Sequence, residues 1–81
     1  MTDDAYTPIA CSFHDRLEDA AVRQRPVRLV WTDPQGERVA ETTVADVFAR
    51  GGADWVRLGT GETVRADRLV SLDGHALGGA C

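Results

Sequence analysis

The spacing of hydrophobic positions changes at Pro26. Before it, Phe13, Leu17, Ala20, Ala21 and Gln24 fall on one side of a helix at about 100° per residue. Asp15, Glu18, Asp19 and Val22 fall on the other side. That pattern predicts a helix with a narrow apolar stripe inward and an acidic face outward. Ser12 is the expected N-cap, with Asp15 three residues later in a near capping box. Carboxylates at Asp15, Glu18 and Asp19 then lie in the first two turns, where the helix dipole favours negative charge. Pro26 is expected to end the helix.

After Pro26 the period falls to two. Val27, Leu29 and Trp31 alternate with Arg28 and Val30, the signature of a half-buried strand. Asp33-Pro34-Gln35-Gly36 reads as a β-turn, with Pro in its second position and Gly in its fourth. A second strand is predicted from Glu37 to Val44, and Asp46–Arg50 as a third short strand or a bent continuation of the second. Gly51-Gly52 and Gly59-Thr60-Gly61 are turns, leaving Asp54–Leu58, Glu62–Arg65 and Leu69–Leu72 as the remaining extended segments. The expected fold is mainly β (α+β): one helix, then about five short antiparallel strands. Closing those strands into a small bent barrel, with the helix on its rim, hides edges and buries one face. The 81 residues are expected to form a single domain, 1–81, with frayed ends at about 1–4 and 75–81.

Charge sharpens this picture. The chain carries a net charge of −4. Residues 1–22 hold five acids and one base, whereas residues 23–81 hold eight of each. The imbalance is therefore local to the predicted helix and its approach, and a concentrated acidic face suits a basic partner. Asp15, Glu18 and Asp19 are close like charges that repel one another, and an Arg/Lys-rich surface would relieve them. All nine basic residues are Arg. No apolar run approaches the roughly 20 residues of a membrane span, and the acidic start, Met-Thr-Asp-Asp, does not resemble a secretory signal. The expected compartment is the cytoplasm. There the two cysteines, Cys11 and Cys81, are expected to be reduced, with Cys11 a small buried hydrophobe and Cys81 a terminal residue.

Little in the chain points to catalysis. Its two histidines, His14 and His75, are scattered, and no nucleophile elbow, phosphate loop or metal-ligand spacing occurs. No catalytic residue, metal or cofactor is expected. Direct binding of a single-stranded nucleic acid needs a basic groove with stacking rings. Arg28, Arg38, Arg57 and Arg65 suggest a weak basic stripe, but acids match them one for one, and Trp31 and Trp55 suit packing in the core or at its rim. No direct nucleic-acid contact is therefore expected.

The segment Tyr6-x-Pro8-Ile9-x-Cys11 followed by Asp15-x-Leu17-Glu18-x-Ala20 resembles the start of the bacterial Rho-binding antiterminators of the Rof family. Asp33–Gly36, Thr43–Asp46 and Gly61–Leu72 are similar to the family's corresponding strands, so the resemblance spans roughly residues 5–73. It implies a helix on an Sm-like barrel that binds the N-terminal RNA-binding domain of the termination factor Rho, blocks RNA loading and reduces Rho-dependent termination. It also implies that Asp15 and Glu18 face Rho. Asp19 adds a carboxylate where the family pattern is apolar, and His14 stands where a Tyr is familiar. His14, Asp15, Glu18 and Asp19 form the expected Rho-binding set on a monomeric protein. Tyr6, Pro8, Ile9 and Cys11 are expected to anchor the N-terminal segment. Two alternatives stand beside this reading: a small Sm-like module that binds RNA directly, and an interaction module for another basic protein.

Overall fold

The computed structural model describes residues 5–76. Helix α1 (Cys11–Arg23) is followed by strands β1 (Val27–Asp33), β2 (Gly36–Thr42), β3 (Val44–Arg50), β4 (Ala53–Leu58) and β5 (Thr63–Arg65). A 3-10 turn (Ala66–Arg68) then leads into β6 (Leu69–Leu72) and β7 (His75–Ala76). The strands form two antiparallel sheets, one ordered β2-β1-β6-β7 and the other β3-β4-β5. The hydrogen-bonded ladders do not join into a closed barrel among the described residues. The architecture is α+β, with one helix packed on antiparallel sheets.

The helix begins earlier than expected. Its N-cap is Ala10, which makes no side-chain cap, and Ser12 lies inside the first turn. Burial fixes the entry instead: Ile9 and Ala10 are both buried, so the preceding backbone is held by packing rather than by a hydroxyl. No acid stands in the first turn, so the capping box and the dipole account for less of the acidic face than the spacing suggested. At the other end Gln24 adopts a left-handed conformation (φ 51°), and its N–H donates to Ala20 O at 2.9 Å. The Gln24 side-chain amide donates to Ala21 O and, at 3.2 Å, to Val44 O, tying the helix end to β3. The helix is thus capped at Gln24 before the chain reaches Pro26.

Phe13, Leu17 and Ala20 are buried against Leu29, Val44, Val56, Leu58, Leu69 and Leu72 in one core. The alternation in β1 holds, with Val27, Leu29 and Trp31 buried. The chain passes from one sheet to the other at Thr43, the only residue between β2 and β3. Gly59 closes on this corner, donating its N–H to Thr43 O at 2.8 Å. A Cβ at Gly59 would lie 2.5 Å from the Thr43 hydroxyl oxygen, so glycine is what permits the approach.

Two carboxylates tie together segments distant in sequence. Asp67, on the 3-10 turn, accepts Arg65 Nε at 2.7 Å and Arg65 Nη2 at 3.1 Å. The same carboxylate accepts the Thr7 N–H at 2.9 Å. Asp73 accepts the Arg28 N–H at 2.8 Å and Arg25 Nη1 at 3.1 Å, while its own N–H donates to Arg28 O at 2.8 Å. These bonds to Asp73 and Gly74 (φ 82°) shape the turn that returns His75 and Ala76 to pair with β6. His75 and Ala76 were expected to fray and instead form a strand. The other residues expected to fray, 1–4 and 77–81, lie outside the described residues.

Candidate functional site

The outward face of α1 follows from its register. With Phe13, Leu17 and Ala20 turned inward, Asp15, Glu18, Asp19 and Val22 are left exposed on the opposite side. Val22 is 83% exposed, a bare apolar side chain at the C-terminal end of the row of three carboxylates. Such a row suits a partner that offers cations beside an apolar spot.

The four predicted residues are not equivalent. Asp15 is exposed, and among the described residues its carboxylate makes no hydrogen bond or ion pair. Glu18 lies 3.5 Å from His14 Nδ1. Asp19 accepts Arg23 Nε at 2.7 Å, one helical turn further on. That contact raises the Arg23 pKa through its hydrogen bond and charge pairing with Asp19. The carboxylate therefore has an internal cation to release before it meets an external one. His14 is half-buried between Glu18 and Asp54, with Nε2 4.0 Å from the Asp54 carboxylate. Asp54 also accepts the Tyr6 hydroxyl at 3.2 Å. Burial first, and then the Asp54 charge and hydrogen bond, push the Tyr6 phenol pKa above its usual value. His14 thus joins the helix face to β4 and to the N-terminal segment, a connection that helical spacing alone did not reveal.

Among the expected anchors, Ile9 is buried and Tyr6 is half-buried against the core. Pro8 and Cys11 are exposed. Cys11 is also disulfide-bonded rather than free, which overturns the expectation of a reduced, buried thiol. As the first residue of α1, preceding the inward-facing Phe13, it points off the packed stripe. The other cysteine of the sequence, Cys81, lies outside the described residues.

One group of potential metal ligands comes together among the described residues: His14, Asp15 and Glu18, with one donor atom of each within 4.8 Å of the others. Helical spacing of three and four residues produces this grouping on an exposed turn without a metal. Beside the acidic face, Asp15, Arg16, Asp19, Arg25, Asp73 and His75 line a shallow depression of about 290 Å³.

A second surface was largely missed by the linear reading. On β3 and β4, Val47 and Val56 turn to the core and Asp54 turns to the helix, so Phe48, Trp55 and Arg57 point the other way. Phe48 pairs across the sheet with Trp55, and Trp55 pairs with Arg65. The Arg57 guanidinium lies over the Phe48 ring, 5.3 Å from its centre. Trp31 is buried in the core, with Arg38 5.6 Å above its ring, whereas Trp55 is half-buried at the rim. Spacing in the sequence places Arg57 in a stripe with Arg28, Arg38 and Arg65, and Trp55 in the core or at its rim, and does not bring Phe48, Trp55 and Arg57 together.

Models of known protein families give no match to the chain, and neither do curated proteins. No helix among the described residues is long and apolar enough to cross a membrane.

Proposed function

We propose that this protein is a Rof-like inhibitor of the termination factor Rho, which uses the α1 face to occupy the basic RNA-binding surface of Rho's N-terminal domain. The observation that carries the reading is the exposed row Asp15, Glu18 and Asp19, ending at Val22 and fixed in place by the buried Phe13, Leu17 and Ala20. A groove that holds RNA phosphates is lined with cations. A prefolded helix meets those cations with carboxylates at low ordering cost, through charge-assisted hydrogen bonds. RNA is then excluded by competition for the same cations, and the reaction requires no catalysis. The resemblance of Tyr6–Ala20 to the family's opening motif supports the choice of Rho over other basic partners.

The Sm-like barrel belongs to the same proposal. It is supported by β2 and β3, which are separated by one residue and bend from one sheet into the other over a shared core. The cytoplasm, where Rho acts, is the compartment this function requires, and among the described residues the Cys11 disulfide is the one feature that stands against it.

The test is Asp15→Arg combined with Glu18→Arg. Both positions are exposed, so the fold is expected to survive, as read by circular dichroism. Wild-type protein is expected to bind Rho and to release oligocytidine from it as it is added, with faster association at low salt. The double variant is expected not to bind Rho when no oligonucleotide is present. Undiminished Rho binding by the folded variant rejects this interface, and a pull-down that captures a different basic protein but no Rho rejects the target.

A further inference from the structure

The outer face of the β3-β4-β5 sheet carries a site of its own, on the side of that sheet away from α1. Phe48, Arg50, Trp55, Arg57 and Thr63 line a groove of about 390 Å³. Its lining holds two guanidiniums and two aromatic rings, and no carboxylate. Among the described residues neither Arg50 nor Arg57 takes part in an ion pair. Asp46, the acid opposite Arg57 in the strand register, accepts its neighbour's Val47 N–H at 2.9 Å. Trp55 and Thr63 are shared with an adjoining groove of similar size, about 400 Å³, whose lining adds Arg38, Arg65 and Arg68 but also the carboxylates of Asp33 and Glu62.

We propose that this face binds single-stranded nucleic acid, with bases stacking on Trp55 and Phe48 and phosphates held by Arg50 and Arg57. Stacking rings interleaved with cations are what a single strand requires, because every base offers a flat face and every nucleotide a charge. An acidic peptide would satisfy the guanidiniums but leave the rings uncovered. A duplex would keep its bases stacked on one another and out of reach of the rings. The one-for-one balance of acids and arginines along the chain was the reason to expect no nucleic acid here. The fold removes that reason at Arg50 and Arg57: Asp33 pairs with Arg38, Asp67 with Arg65 and Asp73 with Arg25, and no acid lines the groove between Phe48 and Thr63. The proposal does not depend on the Rho reading, since the two surfaces lie on different elements.

The experiment measures fluorescence anisotropy of a labelled oligouridine titrated with the full chain at low and high salt. Intrinsic tryptophan emission is followed in parallel. The expected result is saturable binding that weakens as salt rises, with quenching of tryptophan as bases stack. Arg50→Glu with Arg57→Glu is expected to weaken binding about tenfold or more. Arg57→Gln serves as the milder variant should the double change disturb folding, and it is expected to weaken binding in the same direction. Asp15→Arg with Glu18→Arg is expected to retain oligonucleotide binding. The proposal is overturned by absence of binding at low salt, by undiminished affinity in the folded arginine variants, by equal affinity for a duplex, or by displacement of the oligonucleotide by polyglutamate at matched charge.

Discussion

The helix face and the outer sheet face of this protein are built from the same kinds of charged residue and arrive at opposite signs. On α1, three carboxylates stand together because helical spacing puts Asp15, Glu18 and Asp19 on one side while Phe13 and Leu17 take the other. On the β3-β4-β5 sheet, alternation sends Val47 and Val56 inward and Phe48, Trp55 and Arg57 outward. A chain segment that is electrically neutral in sequence thus acquires a cationic, aromatic surface. The difference lies in where the compensating charges go. Among the described residues the helix sets Arg23 against Asp19 and His14 against Glu18, whereas the sheets use Asp33, Asp67 and Asp73 for structural pairs and leave Arg50 and Arg57 outside them. Net charge along a chain constrains its partners less than the bookkeeping of which charges the fold consumes.

The most disruptive way to break the contrast is to undock the helix. Leu17 is fully buried in the core, so Leu17→Ala leaves a cavity and is expected to cost about 2–5 kcal/mol. A domain of this size has on the order of 5 kcal/mol of stability to lose. Urea denaturation followed by tryptophan fluorescence is expected to show a midpoint shifted strongly downward. Partner binding through α1 is expected to fall with it, because the carboxylates lose their fixed row.

Asp67→Ala is the next largest. Its side chain is 7% exposed and its partner Arg65 17% exposed, so removing the carboxylate takes a shared acceptor from a mostly buried guanidinium and the Thr7 N–H together. The expected loss is about 3 kcal/mol, read by the same denaturation curve. Because Arg65 also borders the aromatic track, this change distinguishes the two surfaces: oligonucleotide binding is expected to suffer in the folded fraction, while association through α1 is not.

Most of the architecture was legible because its signals are local. The apolar stripe of α1, the Asp33–Gly36 turn and the alternation Val27-Leu29-Trp31 each follow from spacing within a few residues. Ser12 misled because a good capping residue competes with burial, and Ile9 and Ala10 set the helix start by packing on the core. Cys11 misled for a related reason: with the helix beginning there, its side chain falls off the buried stripe. His14 and Asp54 are 40 residues apart in the sequence, and only the docking of α1 beside β4 makes them neighbours. The short strand His75–Ala76 depends on the turn shaped at Asp73, whose bonds reach back to Arg25 and Arg28. Spacing rules do not encode contacts of that kind.

A smaller effect concerns acid. The Arg28 N–H first, and then Arg25, hold the Asp73 carboxyl below its usual pKa of 3.8. A depressed folded-state pKa means that this carboxylate stabilises the protein above the unfolded value, and that the contribution is lost as pH falls through the folded one. Thermal melts are therefore expected to show the wild-type advantage over Asp73→Asn at neutral pH shrinking once the pH drops below about 4. An advantage that stays constant through this range would remove Asp73 from the acid response. Neither surface residue set is touched, so binding through both faces at neutral pH is expected to persist in the folded variant.

The finest adjustment is Arg23→Gln, which removes the internal cation from Asp19 and leaves the rest of α1 in place. Asp19 then presents an unpaired carboxylate, and the acidic face gains one unit of net negative charge. For a basic partner this raises the electrostatic attraction that governs encounter, so the association rate is expected to rise a few-fold, roughly two to five, at low ionic strength. The gain should vanish as salt shortens the reach of the field to a few ångströms. Stopped-flow association at several salt concentrations reads this directly. A rate that rises equally at all salts would place the effect in packing rather than charge, and a rate that falls would show that the Arg23–Asp19 pair orients the acidic face rather than shielding it. Oligonucleotide binding on the opposite side of the β3-β4-β5 sheet provides the internal control. One more negative charge on α1 lies away from Arg50 and Arg57, so that affinity should stay near the wild-type value while the association rate through the helix changes.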